Sequence, residues 1–256
     1  MTRKNRKQIF KNLSLARIIP NLATLSALLV GFTQVRFALN KQWEYAVIAV
    51  IAAAFLDATD GRLARLFNSC SRFGAELDSL SDFAVFGLCP AVVMYLYSLS
   101  HLNRLGWAAA VFFAACMGLR LARFNTCDIE NIKTPLSGKF FTGVPAPAGA
   151  ILALFPIILF NAFGYKFFKS PYLCAMDITI AGLLCISKFP TPSIKKFHIR
   201  KKQYLPFMLC VILMIVLGFV YTWKALSLFV LMYIFSIFVC SMRTKRALNN
   251  DKEPAH

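Results

Sequence analysis

Acidic residues are scarce in this chain. Its 256 residues hold 11 Asp and Glu against 29 Lys and Arg, a formal charge of +18. Charged residues of both signs make up only 16% of the total, and hydrophobic residues make up 58%. That composition is too apolar for one soluble core and makes a polytopic membrane protein the default. Also absent are an internal repeat, a low-complexity tract and any stretch that reads as a soluble domain. The eight cysteines, at 70, 89, 116, 127, 174, 185, 210 and 240, form no CxxC pair. Most lie inside apolar runs, which argues for small packing residues over disulfides or metal ligands. The N-terminus is basic and then apolar like a signal peptide, but the apolar run is about 20 residues long and no A-x-A site closes it. It is expected to be retained as a span.

What is present is a series of apolar stretches long enough to cross a bilayer as helices. They cover approximately 18–39, 43–66, 80–99, 105–124, 144–164, 172–188, 204–222 and 225–242, the sixth being the shortest. Helices are required because backbone amides find no water in hydrocarbon, and the alternation of a membrane barrel is missing. The fold class expected is therefore all-α, a transmembrane bundle of about eight spans. The distribution of charge tests its orientation. Arg36, Lys41, Arg104, Lys166, Lys169 and Lys224 fall on one side, and every other Lys and Arg falls on the opposite side. By the positive-inside rule that richer side, with both termini, is cytoplasmic; the membrane expected is the cytoplasmic (inner) one.

The excess charge must then meet phosphate or anionic headgroups, so membrane lipids are expected partners. Nucleic acid is not expected, because the basic residues sit in short loops between apolar spans. The organisation expected is a basic juxtamembrane segment over 1–17, a six-helix core over 18–190, a basic linker over 191–203, two further spans over 204–242 and a tail over 243–256. The first segment fits either a short helix on the anionic leaflet or a solvated tail that only sets topology.

Four of the acids, Asp57, Asp60, Asp78 and Asp82, fall at the facing ends of the second and third spans. Carboxylates there are costly unless paired or bound to a cation. Spacings of three and four put each pair on one helix face, and the short polar stretch 68–74 turns the chain so that the faces can meet. Such oxygen ligands suit Mg²⁺ or Mn²⁺, with Ca²⁺ also compatible, better than zinc or copper. Arg62, Arg65 and Arg72 lie in the same segment, and their forks match phosphate oxygens. Gly61 either lets a ligand approach the helix or serves close packing. A cluster of charge pairs stabilising the hairpin, or the lining of a cation transporter, are the competing readings, but the latter does not account for the interleaved arginines.

The segment reads Asp57-x-x-Asp60-Gly61-x-x-Ala64-Arg65, eight residues, then Gly74-x-x-x-Asp78-x-x-x-Asp82. Position for position this is similar to the signature of the CDP-alcohol phosphotransferase family. The resemblance implies a six-helix membrane core and a reaction in which an alcohol attacks the lipid-side phosphorus of a CDP-linked lipid and CMP leaves. It implies two divalent cations, with Asp57, Asp60 and Asp78 as ligands and Asp82 as both ligand and base for the attacking hydroxyl. Gly61, Ala64 and Gly74 would make room for the nucleotide, and Arg65 would hold diphosphate oxygens. Dimers are common in the family, so a homodimer is also expected.

Two further segments, Arg120-Leu121-Ala122-Arg123-Phe124-Asn125 and Lys139 to Ala148, resemble the bacterial branch of the family whose acceptor is serine. Pro20, Asn21 and Thr24 resemble that branch's approach to the nucleotide. The substrates so implied are CDP-diacylglycerol and L-serine, giving phosphatidylserine and CMP. Glycerol 3-phosphate, choline and inositol are the alternative acceptors. Arg120 and Arg123 share a helix face, and with Lys139 they fit either a serine carboxylate or lipid phosphate, or plain positive-inside anchoring. Asn125 and Thr142 fit either polar groups of serine or helix caps. Pro145 and Pro147 read as a helix start.

Overall fold

The computed structural model describes residues 15–66, 72–129, 140–142, 144–187, 190–192 and 221–250. The protein is helical almost throughout. Helix α1 (Leu15–Leu39) turns back through Asn40 and Lys41 into α2 (Trp43–Leu66). Lys41 takes a positive φ of 58° at that turn, and the Gln42 amide donates to the Phe37 carbonyl at 2.8 Å, so the end of α1 is closed by its own turn. The two helices pack along their length, with Ala46, Val47, Val50 and Ala53 buried.

Helix α3 (Arg72–Asp82) runs without a break into a π-wound segment, Phe83–Leu88, and on into α4 (Cys89–Tyr97). Sequence reading starts this span at 80, whereas the helix starts at Arg72, so Asp78 and Asp82 sit within the helix instead of at its end. Apolarity marks only the part of a helix that meets hydrocarbon; a polar first turn continues the same hydrogen bonding outside it. The π winding has a local cause. Pro90 lacks an N–H and its ring crowds the carbonyl one turn earlier, and wider winding relieves the clash. The Cys89 amide accordingly bonds to Ala84, five residues back.

A 3₁₀ turn (Leu99–Leu102) leads to α5 (Arg104–Ile129), whose Phe113 and Met117 are fully buried. A three-residue strand, β1 (Phe140–Thr142), pairs antiparallel with β2 (Pro190–Pro192), Phe141 opposite Thr191. Between the strands lie α6 (Ala146–Ala153), α7 (Phe155–Phe163), a 3₁₀ turn (Lys166–Lys169) and α8 (Pro171–Ile186). The stretch expected as one span over 144–164 is thus two helices bent by 51° at Leu154. Pro156 explains the break, because it cannot donate back into the preceding turn. Pro145 caps α6 and Pro147 lies in its first turn, as the helix-start reading expects. Helix α9 (Thr222–Asn250) packs on α7 and β2.

Among the described residues three helices are long and apolar enough to cross a membrane, Asn21–Leu39, Phe73–Tyr97 and Arg104–Thr126, with the bent pair α6–α7 a fourth. These apolar helices mark a membrane-embedded protein. Large side chains such as Leu29, Phe55, Trp107 and Phe235 are exposed on its outside, which suits a lipid-facing surface. Cys89, Cys116, Cys174 and Cys185 are free thiols buried between helices, as packing residues would be. The expected seventh span up to residue 220, the first segment up to residue 14 and most of the basic linker lie outside the described residues.

Candidate metal and phosphate site

The aspartates come together where α2 and α3 meet. One carboxylate oxygen from each of Asp57, Asp78 and Asp82 lies within 4.8 Å of the others, and all three residues are half-buried. Asp57 and Asp82 are in hydrogen-bond reach of each other through their side chains. Asp78 and Asp82 share a face because they are one turn apart on α3. Asp60 lies one turn beyond Asp57 on α2, but its side chain is outside the described residues, as are those of Gly61, Ala64 and Arg65.

The donor set fits a hard divalent cation. Three carboxylates at this separation in a largely apolar bundle repel one another strongly unless positive charge stands among them. All the donors are oxygens, which suits Mg²⁺, Mn²⁺ or Ca²⁺. A positive side chain also stands nearby: Arg120 on α5 is within electrostatic range of Asp82.

Two hydroxyls interleaved with the acids fix α3 in place, and sequence reading does not single them out. Asn125 on α5 donates from Nδ2 to Ser79 Oγ at 3.0 Å, and Ser79 Oγ lies 3.2 Å from Asn125 Oδ1. Ser81 Oγ, buried, reaches the Thr24 carbonyl on α1 at 3.5 Å. The alternation Asp78-Ser79-Leu80-Ser81-Asp82 is the available signal, since it sends acids and hydroxyls to different sides of one helix. Asn125, read as an acceptor or capping residue, has its amide engaged with the residue next to Asp78. Thr24 is buried beside Ser81, Asn21 is half-buried one turn earlier on α1, and Gly74 lies in the first turn of α3.

Two of the three arginines of α5, Arg120 and Arg123, bond to backbone carbonyls near the two strands. Arg120 Nε donates to the Val144 carbonyl at 2.7 Å, and Arg123 donates to the Ile186 carbonyl at 2.9 Å. Val144 follows β1 by two residues and Ile186 precedes β2 by four. Part of each guanidinium is therefore committed to backbone, which plain charge anchoring at a membrane surface does not require. Thr142 lies on β1, with its side chain outside the described residues, and Lys139 is outside them altogether. A further acid, Asp177 on α8, stands apart from the cluster; its Oδ2 is buried with no hydrogen-bond partner among the described residues.

Residues 17–186 match the CDP-alcohol phosphatidyltransferase family. The chain belongs to this family. Its matched segment contains every aspartate of the cluster, Arg120 and Arg123 on α5, and β1, and it ends where α8 ends. Relatives named CDP-diacylglycerol–serine O-phosphatidyltransferase include one from Mycobacterium leprae, 38% identical over 77% of this chain and 64% of the relative. One from Helicobacter pylori is 34% identical over 85% of this chain and 88% of the relative. Another, from Bacillus subtilis, is 32% identical over 70% of this chain and 92% of the relative. The chain thus spans under two thirds of the length of the mycobacterial relative. Family members use divalent cations, in keeping with the acidic triad.

Proposed function

We propose that the protein is a phosphatidylserine synthase, which transfers the phosphatidyl group of CDP-diacylglycerol to L-serine and releases CMP. The observation that carries the chemistry is the convergence of Asp57, Asp78 and Asp82 within 4.8 Å. The acceptor rests on the relatives, above all the Helicobacter pylori protein, which this chain matches over 88% of its length.

In this reading Asp57, Asp60, Asp78 and Asp82 hold two divalent cations, Mg²⁺ or Mn²⁺. Cations bound there would neutralise the diphosphate and stabilise charge on the attacking and leaving oxygens. The chain's own residues do the rest. Asp82 accepts the proton of the serine hydroxyl as its oxygen bonds to the lipid-side phosphorus; the bond from that phosphorus to the bridging oxygen breaks, and CMP leaves with the electron pair. Gly61, Ala64 and Gly74 leave room for the nucleotide beside Asn21 and Thr24, and Arg65 binds the diphosphate. Arg120, Arg123, Asn125, Lys139 and Thr142 face the acceptor or the lipid phosphate.

The site opens to the cytoplasm, where serine enters and CMP departs. Eight spans carry it, with six in the core over 18–190, two following a basic linker, both termini cytoplasmic, and two copies forming a homodimer. The charge asymmetry between alternate loops supports that orientation. Purified protein given CDP-diacylglycerol, Mn²⁺ or Mg²⁺ and labelled serine should form a labelled lipid and release CMP. Label incorporated from glycerol 3-phosphate, choline or inositol but not from serine would overturn the acceptor.

A further inference from the structure

The family segment ends at residue 186, yet the chain continues into α9, which packs on α7 and β2. Tyr233 on α9 is within electrostatic range of Arg120. Its ring packs against the bundle core, and its hydroxyl is buried with no hydrogen-bond partner among the described residues. A phenol in that position is costly, because a buried O–H normally finds an acceptor, and hydrocarbon around a bundle supplies none.

The neighbours of Tyr233 identify what would complete it. It lies within electrostatic range of Arg120 and Cys185, and Arg120 is in turn within range of Asp82. A guanidinium has five N–H donors and no acceptor, so Arg120 cannot take the phenol's proton, and a thiol is a weak acceptor. The Arg120 Nε is already given to Val144. A donor-only cation within electrostatic range of a buried phenolic O–H suits an anionic oxygen, either a phosphate or a carboxylate. Helix α9 is held there by its packing on β2, whose partner strand β1 leads directly into Val144.

We propose that the Tyr233 hydroxyl is a substrate-binding group that, together with Arg120, donates a hydrogen bond to an anionic oxygen of the lipid phosphate or of the acceptor's carboxylate. The last helix thereby contributes to binding from outside the family segment. The inference rests on the reading of this site as a phosphatidyl-transfer centre.

The test is Tyr233→Phe in the full-length protein, reconstituted with Mn²⁺ and compared with wild type for kcat, for KM of CDP-diacylglycerol and of serine, and for thermal stability. Loss of a hydrogen bond to a charged oxygen should raise one KM about tenfold with kcat much less affected. A higher serine KM assigns the carboxylate, and a higher CDP-diacylglycerol KM assigns the phosphate. Melting temperature should hold or rise, since the hydroxyl has no acceptor to lose among the described residues. Both KM values within about twofold of wild type, or a marked fall in melting temperature, would overturn the proposal. A wrong acceptor appears separately, as wild-type protein that uses an alcohol other than serine; the KM for that alcohol then replaces serine's. If wild type releases no CMP with any acceptor, equilibrium binding of CDP-diacylglycerol and of serine decides, and unchanged affinity for both in Tyr233→Phe rejects the role.

Discussion

Gln34 on α1 donates its side-chain amide to the carbonyl of Val85, in the π-wound segment that follows Asp82, at 2.9 Å. The pairing follows from the winding. In a π register the Val85 carbonyl would take the amide of residue 90, and residue 90 is proline. Gln34, fully buried, supplies the missing donor. Close approach of the helices permits this, because Gly31, one turn before Gln34, lies so near Val85 that a Cβ there would collide with it.

Gln34→Leu should therefore destabilise the protein by about 1–2 kcal/mol, the cost of a buried carbonyl left without a donor. In a Pro90→Ala background the restored backbone N–H can serve Val85, and the same substitution should cost much less. Thermal unfolding of the two single variants and the double variant in detergent measures this coupling. An equal cost in both backgrounds would show that Gln34 does not substitute for the missing amide.

Substitution of the triad should separate activity from stability. Asp78→Asn removes one of three crowded negative charges, so in chelator the variant should melt at or above the wild-type temperature. Wild type should gain stability on addition of Mn²⁺, because a ligand bound only by the folded state raises its stability. The variant should lose that response and fall at least about a hundredfold in kcat, as expected when stabilisation of the transferring phosphoryl charge is lost. Normal turnover in Asp78→Asn would remove the metal assignment.

Ser79 and Asn125 allow a role in positioning α3 to be distinguished from direct contact with serine. If Asn125 acts by holding Ser79 beside Asp78, Ser79→Ala and Asn125→Ala should lower kcat alike, and the double variant should be little worse than either. If Asn125 instead binds serine, Asn125→Ala alone should raise the serine KM. Steady-state kinetics on the three proteins choose between these outcomes.

Arg123→Lys should behave unlike a conservative change. The arginine's hydrogen bond to the Ile186 carbonyl ties α5 to the end of α8, and an ammonium on a flexible stem does not reproduce a planar fork. The expected result is a fall in melting temperature at unchanged charge and membrane insertion. An unaltered melting temperature would reduce Arg123 to a topological charge.

Much of the site was legible in the chain because helical spacing is local. Intervals of three and four residues place Asp78 with Asp82, or Asp57 with Asp60, on one face in any α-helix, and the polar stretch between the two helices announces their reversal. Helix starts at Pro145 and Pro147 were legible for the same reason. The break at Leu154 had its signal in Pro156, but an apolar run long enough for a span hides a bend, since hydropathy is insensitive to backbone direction. The first turns of α3 escaped the apolar pattern because they are polar.

The sequence by itself determined a predominantly helical, membrane-embedded chain, a hard-oxygen cluster and a family, since composition and spacing are properties of the chain at short range. Only the tertiary structure decided which atoms those residues reach. Every residue offers the same carbonyl, so no pattern could say that Arg120 would take Val144 or that Gln34 would complete Val85. Nor could spacing place Tyr233 within electrostatic range of Arg120, because that depends on how α9 packs against β2.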